Sequence, residues 1–271
     1  MSFDGVGLDS LLMVAVLVAI VAFFYSNLGL GGGQLYVPIM ILFFGSFGFH
    51  MKQVVPLSLA FAFVTMISST YTHNKKHLVH FEIGIQLAAA GLIGVIGGVL
   101  FTSSLPDQVV KAGFALLLVI AATKMLSDIY TARKDYTSCP TEFSLRCRLT
   151  GAGASVLTGF LIGSFGIGGG VVSVPLIIYV FKFEPRMAIG TSAFLGAILT
   201  PAALFAYWVN LGPGVQIHWP IAIVLAPVVL VFAIMGSTWG LQRLKTKAVK
   251  TIFVCGVFLA AVEMIYSLLV H

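Results

Sequence analysis

Charge is what this sequence has least of. Asp, Glu, Lys and Arg together make up 9% of its 271 residues, against 59% hydrophobic residues and a mean hydropathy of +1.06. Nine acids and fifteen bases do not cover the surface of a soluble chain of this length, which sets soluble enzymes and soluble binding domains aside. The net charge of +6 then reads as membrane topology and not as a nucleic-acid footprint. Cysteine is scarce too: Cys139, Cys147 and Cys255 form no CxxC and no disulfide framework. A GxxxxGK[ST] phosphate loop is missing, neither glycine stretch completes GxGxxG, and no Ser/His/Asp or paired-carboxylate set falls within the apolar segments. These absences argue against ATP-driven pumping by this chain alone and against an intramembrane enzyme. Glu263 is the one acid well inside an apolar segment, a functional suspect by default, although it aligns with Lys124 in the other half of the chain.

Apolar windows of about 20 residues mark candidate bilayer segments. Five lie at 8–28, 34–47, 54–71, 83–101 and 109–129; after a polar connection at 130–149, five more lie at 150–165, 171–181, 188–209, 219–241 and 248–270. Only Asp4 and Asp9, and no base, precede the apolar run Leu11 to Phe24 within the first segment, so it reads as a retained helix and not as a cleaved signal. The expected fold class is an all-α polytopic membrane protein with about ten segments. If these alternate across the bilayer, Lys52 and Lys111 share the side of the N-terminus. The other side carries Lys75, Lys76, Lys124, Arg133, Lys134, Arg146, Arg148, Lys182, Arg186, Arg243, Lys245, Lys247 and Lys250. Thirteen against two puts that side in the cytoplasm and both termini outside. The segments at 34–47 and 171–181 are short, and making them re-entrant removes crossings in pairs and leaves every loop where it was.

An internal repeat organises the chain. Leu-Gly-Leu-Gly-Gly-Gly-Gln-Leu-Tyr-Val-Pro-Ile at 28–39 is echoed by Phe-Gly-Ile-Gly-Gly-Gly-Val-Val-Ser-Val-Pro-Leu at 165–176, an offset of 137. Lys52 and Ser58 fall opposite Arg186 and Ser192 at an offset of 134. Each half holds an odd number of segments, so the second copy is expected upside down: a first repeat at 1–129, a cytoplasmic connection at 130–149 and an inverted repeat at 150–271. Such repeats recur in secondary transporters, with the substrate site near the midplane at Gly/Pro-interrupted short helices.

The glycine stretches are therefore the expected site. Three consecutive glycines weaken a helix by about 0.8 to 1 kcal/mol each, Pro38 and Pro175 each remove a helical donor, and glycine admits a ligand to the main chain. A short helix starting after each triplet would aim free N–H groups and a positive dipole end at an anion. The candidate binding residues are Gly31, Gly32, Gly33 and Gln34 in the first half and Gly168, Gly169 and Gly170 in the second. Asn27 and Ser164, aligned just before the triplets, either donate to the ligand or cap broken helices. Ser58 and the pair Thr191 and Ser192 offer hydroxyls to an oxyanion or a helix end. Lys52 and Arg186 either draw an anion to the two mouths or only fix topology. Gly94 with Gly98, Gly159 with Gly163 and Gly236 with Gly240 read instead as helix-packing contacts. His73, His77 and His80 have metal-compatible spacing but lie in a turn interrupted by Lys75 and Lys76, so no metal is assigned.

The duplicated Gly-x-Gly-Gly-Gly-x-x-x-Val-Pro motif, the Pro-Arg-x-Ala-x-Gly-Thr-Ser run at 185–192 and the basic turn at 75–86 resemble the sulfite exporter TauE/SafE family along nearly the whole chain. Lys52-Gln-Val-Val-Pro-Leu-Ser58 departs from the Gly-Thr-Ser form in the first half. The resemblance implies a transporter of small sulfur-containing anions such as sulfite or organosulfonates, often in bacterial inner membranes. The expected function is export by alternating access, with an anion channel or a proton-coupled importer as alternatives. The expected partners are a small anion and the lipid bilayer, with a homodimer common among such proteins; neither nucleic acid nor a cofactor is called for. A scaffold for a cytoplasmic partner is disfavoured by short connections.

Overall fold

Inside a bilayer a single apolar segment satisfies all its own amides and carbonyls only as an α-helix. The computed structural model describes residues 2–3, 6–130, 144–209, 217–243 and 246–270. Among them are ten helices: α1 (Leu8–Leu28), α2 (Gly33–Phe44), α3 (Met51–Asn74), α4 (Phe81–Ser104), α5 (Asp107–Tyr130), α6 (Leu145–Phe165), α7 (Gly170–Phe181), α8 (Pro185–Val209), α9 (Trp219–Arg243) and α10 (Thr246–Val270). A 3-10 turn, Gly45–Phe47, follows α2, and a two-residue antiparallel ladder pairs Ser2–Phe3 with Val6–Gly7 ahead of α1. Among the described residues five helices, α1, α3, α4, α8 and the 219–239 part of α9, are long and apolar enough to cross a membrane. Leu12, Val16, Ile93, Ile96 and Ile223 stand exposed on their outer faces, which suits lipid and not water. The chain is a multi-pass integral membrane protein.

Three helices begin three or more residues before their apolar windows. α3 starts at Met51, α6 at Leu145 and α8 at Pro185, against expected starts at 54, 150 and 188. Each gains a polar first turn to which hydropathy is blind. At the head of α3, Asp107 Oδ1 accepts the Met51 N–H at 2.6 Å; at the head of α6, Ser144 Oγ accepts the Cys147 N–H at 3.4 Å. Pro185 takes the first position of α8, where its missing N–H has no helical acceptor anyway. Lys52, Arg146, Arg148 and Arg186 accordingly stand on helix ends and not in loops. Cys139 lies outside the described residues, and so do the side chains of Cys255 and Lys124.

Glycine brings the helices together. A Cβ on Gly94 would fall on the carbonyl oxygen of Val156, one on Gly98 on that of Phe160 and one on Gly159 on that of Gly91, so α4 and α6 meet backbone to backbone. Gly236 on α9 meets the Phe23 carbonyl on α1 in the same way. Lipid tails are as apolar as leucine, so this close van der Waals approach supplies the attraction that hydrophobicity cannot. The surroundings of Gly240 lie outside the described residues.

The pairing of helices is itself repetitive. α1 packs on α9 as α6 packs on α4, α3 on α9 as α8 on α4, and α2 on α3 as α7 on α8; α3 meets α8, and α5 meets α10. Exchanging α1–α5 for α6–α10 reproduces these pairs, while the packing of α2 on α10 has no counterpart of similar extent. α3 and α8 are the most buried of the five long apolar helices and hold the glycine turns between them.

Candidate functional site

Within the two motifs the helices break at the glycines. α1 ends in Gly29 at φ 61°, whose N–H bonds to the Tyr25 carbonyl; Gly31 and Gly32 follow at φ 78° and 84°, and α2 starts at Gly33. α6 ends in Gly166 at φ 68°, Gly168 and Gly169 follow at φ 68° and 87°, and α7 starts at Gly170. All six positive-φ positions lie in the left-handed region that other residues avoid. Pro38 and Pro175 sit at the sixth position of the continuous helices α2 and α7. They do not open the helix; each leaves one carbonyl, that of Gln34 or Val171, without a helical donor.

The two turns touch. A Cβ on Gly31 would lie 2.9 Å from Gly168 Cα, and the reverse distance is also 2.9 Å. A Cβ on Gly33 would strike the Gly166 carbonyl oxygen, and one on Gly170 the Gly29 carbonyl oxygen. Gly196 on α8 and Met66 on α3 close against the same contact, a Cβ on Gly196 lying 2.8 Å from Gly168 O. The triplets are thus required twice, by backbone angle and by space.

Hydroxyl groups secure the carbonyl side of each break. Ser58 Oγ donates to Val55 O at 2.9 Å and Gly166 O at 3.1 Å, so α3 holds the turn of the opposite half. Ser192 Oγ lies 3.3 Å from Gly29 O and 2.6 Å from Ser173 Oγ, which in turn reaches Gly169 O at 3.0 Å. The last carbonyls of α6 and α1 are met likewise: Thr102 Oγ1 donates to Ser164 O at 2.7 Å, Tyr207 Oη to Gly163 O at 2.7 Å, and Ser69 Oγ to Ser26 O at 2.6 Å. A helix end leaves such carbonyls open, and in apolar surroundings each needs a donor.

The amide side is left bare. Among the described residues no hydrogen bond holds the N–H groups of Gly31, Gly32, Gly33 and Gln34, or those of Gly168, Gly169, Gly170 and Val171. Two buried helix N-termini, each worth about half a positive charge, thus stand side by side without acceptors. Gln34, the second residue of α2, follows directly on this cradle. It is 1% exposed, and neither Oε1 nor Nε2 has a partner. Cα–Cβ bonds in a helix tilt toward its N-terminus, so the side chain leans back toward the glycine turn. Its aligned residue, Val171, is apolar.

Other sequence candidates lie elsewhere or serve elsewhere. Thr191 Oγ1 accepts the His80 N–H at 3.0 Å and so caps the turn between α3 and α4 instead of facing the glycines. Ser164 Oγ reaches Gly98 O at 3.3 Å in the α4–α6 contact, and Asn27 is half-buried in the last turn of α1. Lys52 Nζ donates to Ser103 O at 3.0 Å beside the Asp107–Lys111 ion pair of 3.3 Å, and Arg186 is exposed at the head of α8. Each base stands six residues, about 9 Å of helix, from its serine, near the head of its helix and not at the turns. Glu263 is half-buried on α10, with Oε2 lacking a partner. Sequence reasoning passed over Tyr36, Thr65, Thr102, Ser173 and Tyr207. Tyr36 Oη bonds Thr65 Oγ1 at 2.9 Å and shields Gly32, a Cβ on which would lie 2.6 Å from the Tyr36 ring. The only signal in the sequence is an isolated hydroxyl in an apolar span, and Ser173 is visible within the second motif itself.

Removing the serine clamps is expected to be measurable but not catastrophic. Ser58→Ala and Ser192→Ala should each destabilise the protein by about 1–3 kcal/mol, the cost of leaving a buried carbonyl without its donor. Because the two turns share one contact, the double variant should depart from additivity in a thermal-unfolding cycle in detergent.

The sulfite exporter TauE/SafE family model matches residues 14–264. A probable membrane transporter protein of Methanocaldococcus jannaschii is 28% identical over 203 residues, covering 74% of this chain and 72% of its own length. One of Bacillus subtilis is 23% identical over 275 residues, 95% of this chain and 98% of its own, and one of Haemophilus influenzae is 28% identical over 208 residues, 73% and 74%. These names are those of membrane transporters and not of enzymes. No solved structure matches the chain.

Proposed function

Because the chain belongs to the sulfite exporter TauE/SafE family, we propose that it is a secondary transporter exporting a small sulfur-containing anion, sulfite or an organosulfonate, across a bacterial inner membrane. The observation that carries this reading is the asymmetry of the two breaks: their carbonyls are answered by protein hydroxyls, and their amides are not. Backbone amides at paired helix ends hold an oxyanion without a lysine or arginine in the membrane interior. The binding group is then Gly31, Gly32, Gly33 and Gln34 with Gly168, Gly169 and Gly170, while Ser58 and Ser192 hold the turns in place. Lys52 and Arg186 attract the anion to the outer and inner mouths.

Ten segments in two inverted halves, with both termini outside, form the frame of this proposal. The charge count supports the sidedness, and the exchangeable helix pairs support the repeat. α2 and α7, of 12 residues each, cover about 18 Å, too little for a hydrocarbon core of about 30 Å, which favours glycine turns at mid-depth. Rocking of one half against the other would expose that depth alternately to each side. The Gly31–Gly168 contact is glycine backbone on glycine backbone, and the side chain that closes against it is the flexible Met66. A potential negative inside favours anion exit by about 2.3 kcal/mol per charge per 100 mV, so no coupling ion is needed.

The test is flux of labelled sulfite, with sulfate and a small organosulfonate in parallel, in proteoliposomes under an imposed potential. Saturable movement of sulfite or sulfonate that follows the potential is expected. Flux of none of the three rules out this substrate class, and unsaturable flux makes the protein a channel.

A further inference from the structure

The glycine turns are nearly the same in both halves, but what lines them is not. Gln34 is the one side-chain amide of the two motifs, and its counterpart is Val171. A primary amide has two N–H donors and an acceptor oxygen with two lone pairs. At 1% exposure, with Oε1 and Nε2 both unpartnered, it carries an unmet need at each end, and exchanging the oxygen and nitrogen positions leaves that need unchanged. A bare oxyanion meets only half of it. Sulfate, the sulfite dianion or a plain alkanesulfonate accepts from Nε2 and from the adjacent amides, yet presents nothing to Oε1 except another lone pair.

Resting on the anion site proposed above, we infer that Gln34 determines specificity there, selecting an anion that carries a hydrogen-bond donor of its own. Hydrogen sulfite and organosulfonates bearing a hydroxyl or ammonium group share this chemistry. The backbone amides of both turns supply charge complementarity to any oxyanion, and Gln34 separates those that also donate from those that do not. Leaving a buried acceptor unpaired is the larger penalty of the two, so the discrimination comes from rejecting the donor-free anion. Placement on one half only also gives the bound anion a defined orientation between two otherwise equivalent turns.

A matched pair of competitors tests this against labelled sulfite flux in proteoliposomes: 2-hydroxyethanesulfonate and ethanesulfonate, equal in charge and differing by one hydroxyl. The wild-type protein should be inhibited about tenfold more strongly by the hydroxylated member, a ratio equal to about 1.4 kcal/mol. Gln34→Met, an unbranched apolar replacement, should bring the two inhibition constants together at the weaker value. Gln34→Glu keeps the shape but adds negative charge, and should weaken both competitors. The same anions are applied to the purified proteins in thermal unfolding, which shows that each variant is folded and reads binding without transport. Equal inhibition by the pair in the wild type, or a preference that survives Gln34→Met, overturns the inference and leaves the glycine-turn site intact. If no sulfur oxyanion moves through or stabilises the wild type, the site proposal itself fails, and this inference fails with it.

Discussion

Gly33→Ala is expected to stop anion flux for want of space and not of backbone freedom. Gly33 opens α2 and is not among the left-handed glycines, so its backbone angle by itself would admit alanine. Its methyl group, however, would land on the Gly166 carbonyl oxygen, which is backbone held by Ser58 and has no flexible side chain to move aside. Separating the two turns should cost about 1–3 kcal/mol, as overpacking does, and spread the amides that face the anion. Gly45→Ala is the matched control, because nothing lies within 4 Å of a Cβ there. Thermal unfolding and sulfite flux on both proteins check the pair: Gly45→Ala should behave as wild type, and Gly33→Ala should lose flux with only moderate loss of stability.

Gly32→Val and Gly169→Val should be inactive as well, for a different reason. These residues are the N-caps of α2 and α7 at φ 84° and 87°, where a β-branched side chain is strained by roughly 1–2 kcal/mol or more before any contact is counted. At Gly32 the new atoms would also press on the Tyr36 ring and its bond to Thr65. At Gly169 the nearest atom, 2.6 Å away, is the movable Cδ1 of Ile162, so that variant should be the more stable of the two. Both proteins should insert, as judged by membrane fractionation, and neither should transport. Full transport by both would mean that the turn geometry has no part in the pathway.

Much of this architecture was legible in the sequence because membrane helices announce themselves through apolar length. The window at 8–28 coincides with α1, and the short segments predicted after each triplet are α2 and α7. Helix starts were the weaker part: the polar heads of α3, α6 and α8 depend on Asp107, Ser144 and Pro185, which hydropathy ignores. The glycine turns were legible because six left-handed positions demand glycine and a duplicated demand leaves a duplicated motif. What the serines do was not legible. From sequence alone Ser58 and Ser192 offer their hydroxyls to an oxyanion or a helix end; in the fold each donates to a carbonyl 108 or 163 residues away, a contact with no local signature. Thr191 beside Ser192 faces another way entirely, since adjacent helical residues point about 100° apart. The orphaned amide of Gln34 is likewise a property of its surroundings and not of its residue type.

The most direct test of the central claim, that the paired glycine turns hold the transported anion, is sulfite flux through purified wild type, Gly33→Ala and Gly45→Ala reconstituted at equal density under one imposed potential. Saturable flux is expected in wild type and Gly45→Ala and none in a folded Gly33→Ala. Undiminished flux in Gly33→Ala would contradict that claim and place the anion elsewhere in the membrane domain.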